Sequence, residues 1–488
     1  MYPKKLEVLE FKDFYIPFSG KMDKENRWVR LHDIIPWQEL EIEYAGLFSE
    51  DGAPAKLLQM ALGALIIQNK CGFTDRETVL QIQENLYMQY FIGCHEFSNE
   101  IPFDPTMLVY FRKRLGIDVI KRVNELICKM EKKEISKGND KENKGPEDKP
   151  GSGENSKKEP PEGNKGTLIL DATCAPADIK YPTDLNLLNE AREKLEEIID
   201  TLHFPMKGKR RRPRTHRQKA RREYLLVAKN KRKSSKDLRK AIGKQLRFVR
   251  RNLKIVEQMG EQSGLMLLKK KQYRDLLVIN ELYRQQKEMY DEEKHSVESR
   301  IVSISQPHVR PIVRGKAGAE VEFGAKISIS VVNGFSYLEK VSWENYNEGC
   351  YVKEQVEAYK SRFGCYPSVV NADKIHRNRD NRKYCKGKSI RMSGPPLGRP
   401  PEMNTEETRE QKKIDKKDTG IRNAVEGSFG VTKRRYGLAL IMTKLKITSE
   451  SSIALQFLVM NLEKKLRLLL RQFFIHLFFG KTAGLACV

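Results

Sequence analysis

The stretch GIRNAVEGSFGVTKRRYGL, residues 420–438, contains one acid, Glu426, among four cations. Arg422 precedes Glu426 by four residues and Lys433 follows it by seven. At about 100° per residue, a helix carries these three within roughly 40° of one another. One face then presents a carboxylate flanked by two cations. Two further acids close short apolar runs, Asp171 in TLILDAT and Asp373 in PSVVNAD. Three carboxylates gathered in one pocket repel one another, and the cation that relieves them is a hard one held by oxygen, Mg²⁺ or Mn²⁺. Two such ions about 4 Å apart can activate a water or a 3′-hydroxyl and stabilise the leaving oxygen of a phosphodiester. Arg422, Lys433, Arg434 and Arg435 are then expected to hold phosphates.

The elements that must position these acids follow from the pattern. TLILDAT reads as a strand ending at Asp171. In AKISISVVNGFSYLEKVSW, Ile327, Ile329 and Val331 alternate, Asn333-Gly334 is a hairpin turn, and Phe335, Tyr337 and Glu339 lie on the return strand. VKEQVEAYKSRFG is an amphipathic helix closed by Gly364. PSVVNAD is a buried strand ending in Asp373, and a polar, basic loop of 47 residues (374–420) leads to the helix of Glu426. Strand, hairpin, helix, strand, helix is the order in which an RNase H-like α/β fold gathers three acids: central strand, neighbouring strand, nearby helix.

Between the first strand and the hairpin lies a long helical insertion, 184–300. From Lys207 to Lys254 it holds 22 Lys and Arg against two acids, Glu223 and Asp237, so +20 of the chain's formal +26 falls within 48 residues. RREYLLVAKNKRKSSKDLRKAIGKQLRFVRRNLKIVEQM within it reads as one helix. Like charges this dense repel unless phosphates neutralise them, which points to nucleic acid. Lys209, Arg210, Arg211, Arg212, Arg214 and Arg217 form its densest part. Residues 53–130 read as helices: PAKLLQMALGALIIQNK, then a helix with Thr74 and Glu77 at capping-box spacing, then FDPTMLVYFRKRLG with Asp104 as N-cap, Pro105 at the first position and Gly116 at the end. Its Arg112 and Arg114 are candidate DNA contacts of a helix-turn-helix. Residues 131–166, rich in Gly, Pro, Ser and charge, read as a disordered linker.

The apolar C-terminal tail is interrupted by Arg471, His476 and Lys481, so it reads as a buried or interfacial helix and no membrane partner is expected. There is no apolar N-terminal signal, and eight cysteines without C-x-x-C spacing support neither a zinc ribbon nor a disulfide scaffold.

The triad, its order and the residues around Glu426 resemble the DDE transposases of bacterial insertion sequences. Many of these carry Tyr, two residues, Arg, three residues, Glu, six residues, Lys. Arg422, Glu426 and Lys433 match the last three positions, and Thr419 stands at the first. The resemblance covers about 53–130 and 167–470, with DATCAPADIKYPTD, NADKIHRNRDNRKYC and SGPPLGRP adding to it. It implies an all-α DNA-binding domain (1–130), the linker (131–166), an RNase H-like DDE catalytic domain (167–183 and 301–470) interrupted by the basic helical insertion (184–300), and a tail (471–488). It further implies Asp171, Asp373 and Glu426 as catalytic metal ligands and two Mg²⁺ or Mn²⁺ ions. The implied partners are terminal inverted repeats and target DNA, with a homo-oligomer in the synaptic complex, at the bacterial nucleoid in the cytoplasm.

Other readings compete. Asp171 can cap a strand end, Asp373 can be a loop acid, and Glu426 can simply pair with Arg422. Asp178 and Asp184 stand near Asp171, Asp178 in a turn and Asp184 as a helix N-cap. His376 reads as solvated or phosphate-facing, and Cys174 as a small buried residue. The rival functions are a stand-alone RNase H-like nuclease and a catalytically decayed nucleic-acid-binding protein.

Overall fold

The computed structural model describes residues 20–46, 48, 55–129, 163–230, 232, 234–316, 319–394 and 406–479. Most of the expected linker, most of SGPPLGRP and the last residues of the tail lie outside this set.

Mixed α/β architecture is built on a six-stranded sheet of β1 (Thr167–Pro176), β2 (Arg310–Lys316), β3 (Ala319–Val332), β4 (Phe335–Ser342), β5 (Val369–Asn371) and β6 (Arg391–Met392). The order is β2-β3-β1-β5-β6, with β4 also pairing β3. β1 runs antiparallel to β3 and parallel to β5, and β5 runs parallel to β6. The β3–β4 turn forms as the sequence predicts. Asn333 and Gly334 both have positive φ, 51° and 76°, as a two-residue turn matched to strand twist requires.

Side chains alternate along β1. Leu168 and Leu170 join Val352, Val356 and Tyr359 of α11 (Val352–Phe363) in a core on one face. Ile169 and Ala175 join the main core on the other, where the helices of the N-terminal segment also pack. These are α1 (Arg27–Ile34), α2 (Trp37–Ala45), α3 (Leu58–Cys71), α4 (Asp75–Glu84), α5 (Leu86–Phe91) and α6 (Met107–Lys129). Thr74 caps α4 by accepting from the Glu77 amide at 3.2 Å. α6 starts at Met107, later than Pro105, because Asp104 accepts from the Thr106 amide in a preceding turn. Gly116 (φ 61°) does interrupt it, but the chain resumes a helical course to Lys129.

The insertion contains α7 (Asp184–His203), α8 (Arg217–Ala228), α9 (Ser235–Ser263) and α10 (Lys270–Asp291). Leu188, Leu195, Ile199, Val249, Ile279 and Leu282 give it a core of its own. The single helix expected around 221–259 is two. The first ends at Ala228 with Lys229 as its C-cap, and Ser234 restarts the helix by accepting from the Asp237 amide at 3.1 Å. Asp184 is not the N-cap of α7. Thr183 is, and Asp184 in the first turn pairs with Arg300 at 2.6 Å.

The C-terminal part departs further from expectation. The stretch 374–420 holds a 3₁₀ turn (Lys374–His376), α12 (Arg379–Gly387), strand β6 and the first half of α13 (Glu406–Arg435). Its polarity hid this order: α12 buries only Asn381 and Cys385, and the first half of α13 is largely exposed. α14 (Lys446–Phe479) packs along α6 and β4. Among the described residues no helix is long and apolar enough to cross a membrane.

One buried polar network joins these layers. Asn461 of α14, fully buried, donates to Asn124 Oδ1 of α6 and to the Ser336 carbonyl of β4, both at 2.7 Å, and accepts from the Ser336 amide at 3.0 Å. Asn461→Ala leaves the Ser336 amide and its neighbours unsatisfied in a dry interface, so the variant is expected to lose about 2–4 kcal/mol. The shift of the urea midpoint at unchanged m-value measures it, and an unshifted midpoint would show that these bonds carry no net stability.

Candidate active site

β1 does not end at Asp171. It continues to Pro176 because Ala172–Pro176 keep pairing with β3, Cys174 opposite Lys326 and Pro176 opposite Gly324. What ends near Asp171 is the parallel pairing with β5, whose last registered pair is Ile169 with Asn371. Continued two residues on, that register sets Asp373 level with Asp171. Both fall on the face that α13 covers, since Asn371 donates to the Asp418 carbonyl of α13 at 2.8 Å. Arg391 of β6 fixes the same point of α13 with bonds of 2.7 and 3.0 Å to the Asp418 carboxylate. Val425 and Phe429 bury the next turns, so Glu426 between them faces the strand ends.

Asp171, Asp373, Glu426 and Lys433 line one cleft of about 650 Å³. Arg422 reaches across its edge, with Nη1 3.3 Å from Asp373 Oδ1 and Nε 3.6 Å from Glu426 Oε1. It is the cation between two of the acids. Asp373 also accepts from the Lys374 amide at 2.7 Å, and Asp171 from the Ala172 amide at 2.7 Å. Two more charged residues, absent from the sequence reading, line the cleft: Glu348 and Lys326, paired at 2.9 Å. Glu348 opens a 3₁₀ turn capped by Asn347. Asn381 of α12 donates to the carbonyls of both Gly349 and His376, fastening that turn to the one after Asp373. The only advance signal was a lysine interrupting the apolar alternation of β3.

The cations expected to hold DNA divide. Arg112 is buried, pairing with Asp75 and donating to Gln68 Oε1 at 2.8 Å, so its guanidinium is committed inside the helical packing. Arg114 is exposed and lies 4.4 Å over the Phe48 ring. Arg434 is exposed, and Arg435 approaches Glu463 at 3.9 Å. In the insertion Lys209, Arg210, Arg211 and Arg214 are exposed, whereas Arg212 and Arg217 pair with Asp200 of α7. His376 is buried rather than solvated, and burial lowers its pKa. Cys174 is a small buried residue, as the sequence suggests.

Burial raises the Asp171 pKa to about 6, against the Ala172 amide that lowers it, and the charges of Glu426, Glu348 and Asp373 raise it further. Among the described residues no three His, Cys, Asp or Glu side chains stand close enough to hold a metal ion. The acids lining the cleft, Asp171, Glu348, Asp373 and Glu426, nonetheless offer oxygen donors that fit a hard divalent cation in kind. A carboxyl pKa raised by folding favours the fold below the unfolded pKa, near 4. That contribution is lost as pH climbs through 6. In metal-free buffer, Asp171→Asn is therefore expected to be more stable than wild type at pH 7.5, by up to about 3 kcal/mol. The gap should close as pH falls towards 4. Thermal melts across that range test it, and a gap independent of pH would locate the strain elsewhere.

Comparison with known proteins adds identity to this geometry. A family model described as "Transposase DDE domain" matches residues 370–463, which include Asp373, Arg422, Glu426 and Lys433. A second, "Transposase domain (DUF772)", matches residues 17–114, from before α1 into α6. "Uncharacterized protein ORF8 in nfe locus" of Rhizobium meliloti is 32% identical over 88 residues, 18% of this chain and 42% of that protein. The match thus spans less than half of that relative, and no solved structure matches. Transposase-domain models thus match both an N-terminal and a C-terminal part of the chain, the latter of the DDE type.

Proposed function

We propose that this protein is the transposase of an insertion sequence, which binds the terminal inverted repeats, cleaves DNA to leave 3′-hydroxyls and joins those ends to target DNA. The observation that carries the reading is the single cleft lined by Asp171 from β1, Asp373 from the end of β5 and Glu426 from α13. The pairing of β4, β3 and β1 in antiparallel fashion, with β5 and β6 added in parallel, supports an RNase H-like catalytic domain with β1 at its centre. The insertion with its own core, and the helices α1–α6, support the division into a basic insertion and an N-terminal helical DNA-binding domain.

In the reaction a water oxygen attacks phosphorus in line, the P–O3′ bond breaks, and the water's proton goes to the leaving 3′-oxygen. That 3′-hydroxyl later attacks a phosphodiester of the target in the same way. Asp171, Asp373 and Glu426 would hold two Mg²⁺ or Mn²⁺ ions, which supply nucleophile activation and charge stabilisation when bound. The chain's own side chains do the rest. Arg422, now the counter-ion of Asp373 and Glu426, is released when another cation neutralises them, and its planar fork then turns to a phosphate. Lys433, one face of α13 along, holds the strand as a point charge. The exposed cations Lys209, Arg210, Arg211 and Arg214 bind phosphates outside the cleft. The synaptic complex is a homo-oligomer that works at the nucleoid.

Asp171→Ala, Asp373→Ala and Glu426→Ala are each expected to abolish cleavage of an inverted-repeat substrate while sparing DNA binding, because none removes a basic contact. A variant that keeps more than about one-hundredth of wild-type cleavage removes that residue from the catalytic set. Strand transfer of the cut end distinguishes a transposase from a stand-alone nuclease.

Neutralising Lys209, Arg210, Arg211 and Arg214 should flatten the salt dependence of DNA binding by about 0.9 in log–log slope per lost contact. Anisotropy titrations at several salt concentrations measure this, and equal slopes would mean that the segment touches no phosphate.

A further inference from the structure

Next to the cleft lies a second cavity of about 140 Å³, lined by Asn371 and Ala372 of the β5 end, the segment after β6 and α13. Two guanidiniums enter it, Arg377 from the end of the 3₁₀ turn after Asp373 and Arg422 from α13. Among the described residues the Nε of Arg377 is buried without a hydrogen-bond partner, and that of Arg422 meets only Glu426 Oε1, at 3.6 Å. Such orphaned donors are costly in a folded protein unless something arrives to accept from them. Among the described residues Arg377 forms one side-chain bond, a long one from Nη1 to the Ser393 carbonyl at 3.4 Å. Two acids share the wall. Asp418 is taken by both bonds of Arg391, and Asp415 stands one turn before Thr419.

The backbone makes room for this arrangement. Gly394 has φ +95°, and a Cβ there would collide with Arg377 Nη1. A residue without a side chain at this position keeps the guanidinium beside the cavity. Burial, with Arg382 and Arg422 nearby, lowers the Arg377 pKa, while Asp373 and Asp415 act in the opposite sense. Arg377 is therefore held close to a second cation, Arg422, whose own acids are Asp373 and Glu426. Arg422 links the two hollows, since it lines this cavity and also pairs with Asp373 and Glu426 at the edge of the cleft.

We propose that Arg377, with Arg422 and the backbone at Gly394, forms a binding site for a backbone phosphate of the DNA strand next to the one that reacts. This rests on the DNA-processing reading of the cleft and adds a residue to it. Arg377 is then a substrate-positioning residue that sets the strand's path past Asp373. A planar fork bonding through Nε and one amino group suits a phosphate with two free oxygens.

The test uses the full chain, a labelled DNA duplex and anisotropy titrations from about 50 to 200 mM salt. Arg377→Gln removes the charge, and Gly394→Ala keeps the charge but displaces the guanidinium. Both are expected to flatten the log–log slope by about 0.9, which is about a threefold smaller loss of affinity over that salt range. Arg377→Lys, which retains charge without the fork, should fall between them and wild type, and it serves as the readout if Arg377→Gln melts early. Wild-type slopes in folded Arg377→Gln and Gly394→Ala would overturn the site and leave the proposed function standing. No DNA binding by wild type would overturn both. If inorganic phosphate raised the wild-type Tm, Arg377→Gln abolished that rise and the DNA slopes stayed equal, the pocket would take free phosphate and the proposal would fall.

Discussion

The placement of the site depends on how β1 pairs with its two neighbours. It runs antiparallel to β3 along nearly its whole length but parallel to β5 for only three residues. The parallel ladder stops short of Asp171, opening one edge of the strand, and the antiparallel ladder keeps the backbone straight through that opening. Because side chains alternate with a period of two, a slip of one residue would turn Asp171 towards α11 and Leu170 towards α13. Leu168 and Leu170 on one side and Ile169 and Ala175 on the other oppose that slip with buried apolar surface. The geometry of the cleft is thus set by hydrophobic burial on both faces of the sheet rather than by the acids themselves.

The acids work against the fold. Asp171 is destabilised as a carboxylate by its burial and then by three neighbouring charges. The chain answers with cations paired to the acids at the cleft, Arg422 shared between Asp373 and Glu426, and Lys326 held against Glu348. Lys326 is nearly fully buried and also donates to the Tyr346 carbonyl at 2.7 Å, so it is fixed as well as charged. The two pairs differ in consequence. Arg422 stands at the rim on long contacts and can leave, whereas Lys326 is enclosed and tethers the Glu348 turn permanently.

Where hydrophobic period and turn chemistry act locally, the sequence was legible. Asn333-Gly334, the Thr74 cap, Gly364 at the end of α11 and the apolar stripes of α7 and α10 all depend on neighbours in the chain. What it concealed depends on distant partners. β1 outlasts Asp171 only because β3 is long enough to pair with it. β6 is two residues long and exists by virtue of β5. Arg112 looks like a solvent-facing cation in a basic helix until Asp75 and Gln68 close over it. Glu348 had no pattern to mark it, since a turn acid gains meaning only when Asn381 ties its turn to that of Asp373.

The insertion shows how a segment with a net +20 packed into 48 of its residues can remain folded. Its apolar residues face inward between α7, α9 and α10, and this core does not depend on the charges. Part of the repulsion is relieved internally by α7, which carries acids where the others carry bases. Asp200 takes Arg212 and Arg217, and Glu196 holds the fully buried Arg192. Cations nearest α7 are thereby spent on structure. Those farther out, Lys209, Arg211 and Arg214 before α8 and Arg247, Arg250 and Arg251 on α9, remain exposed. A polyanion that covered the outer set would lower the insertion's self-repulsion without disturbing the inner pairs. Folding of this segment therefore draws on the inner residues, and charge in the outer set can change without loss of the core.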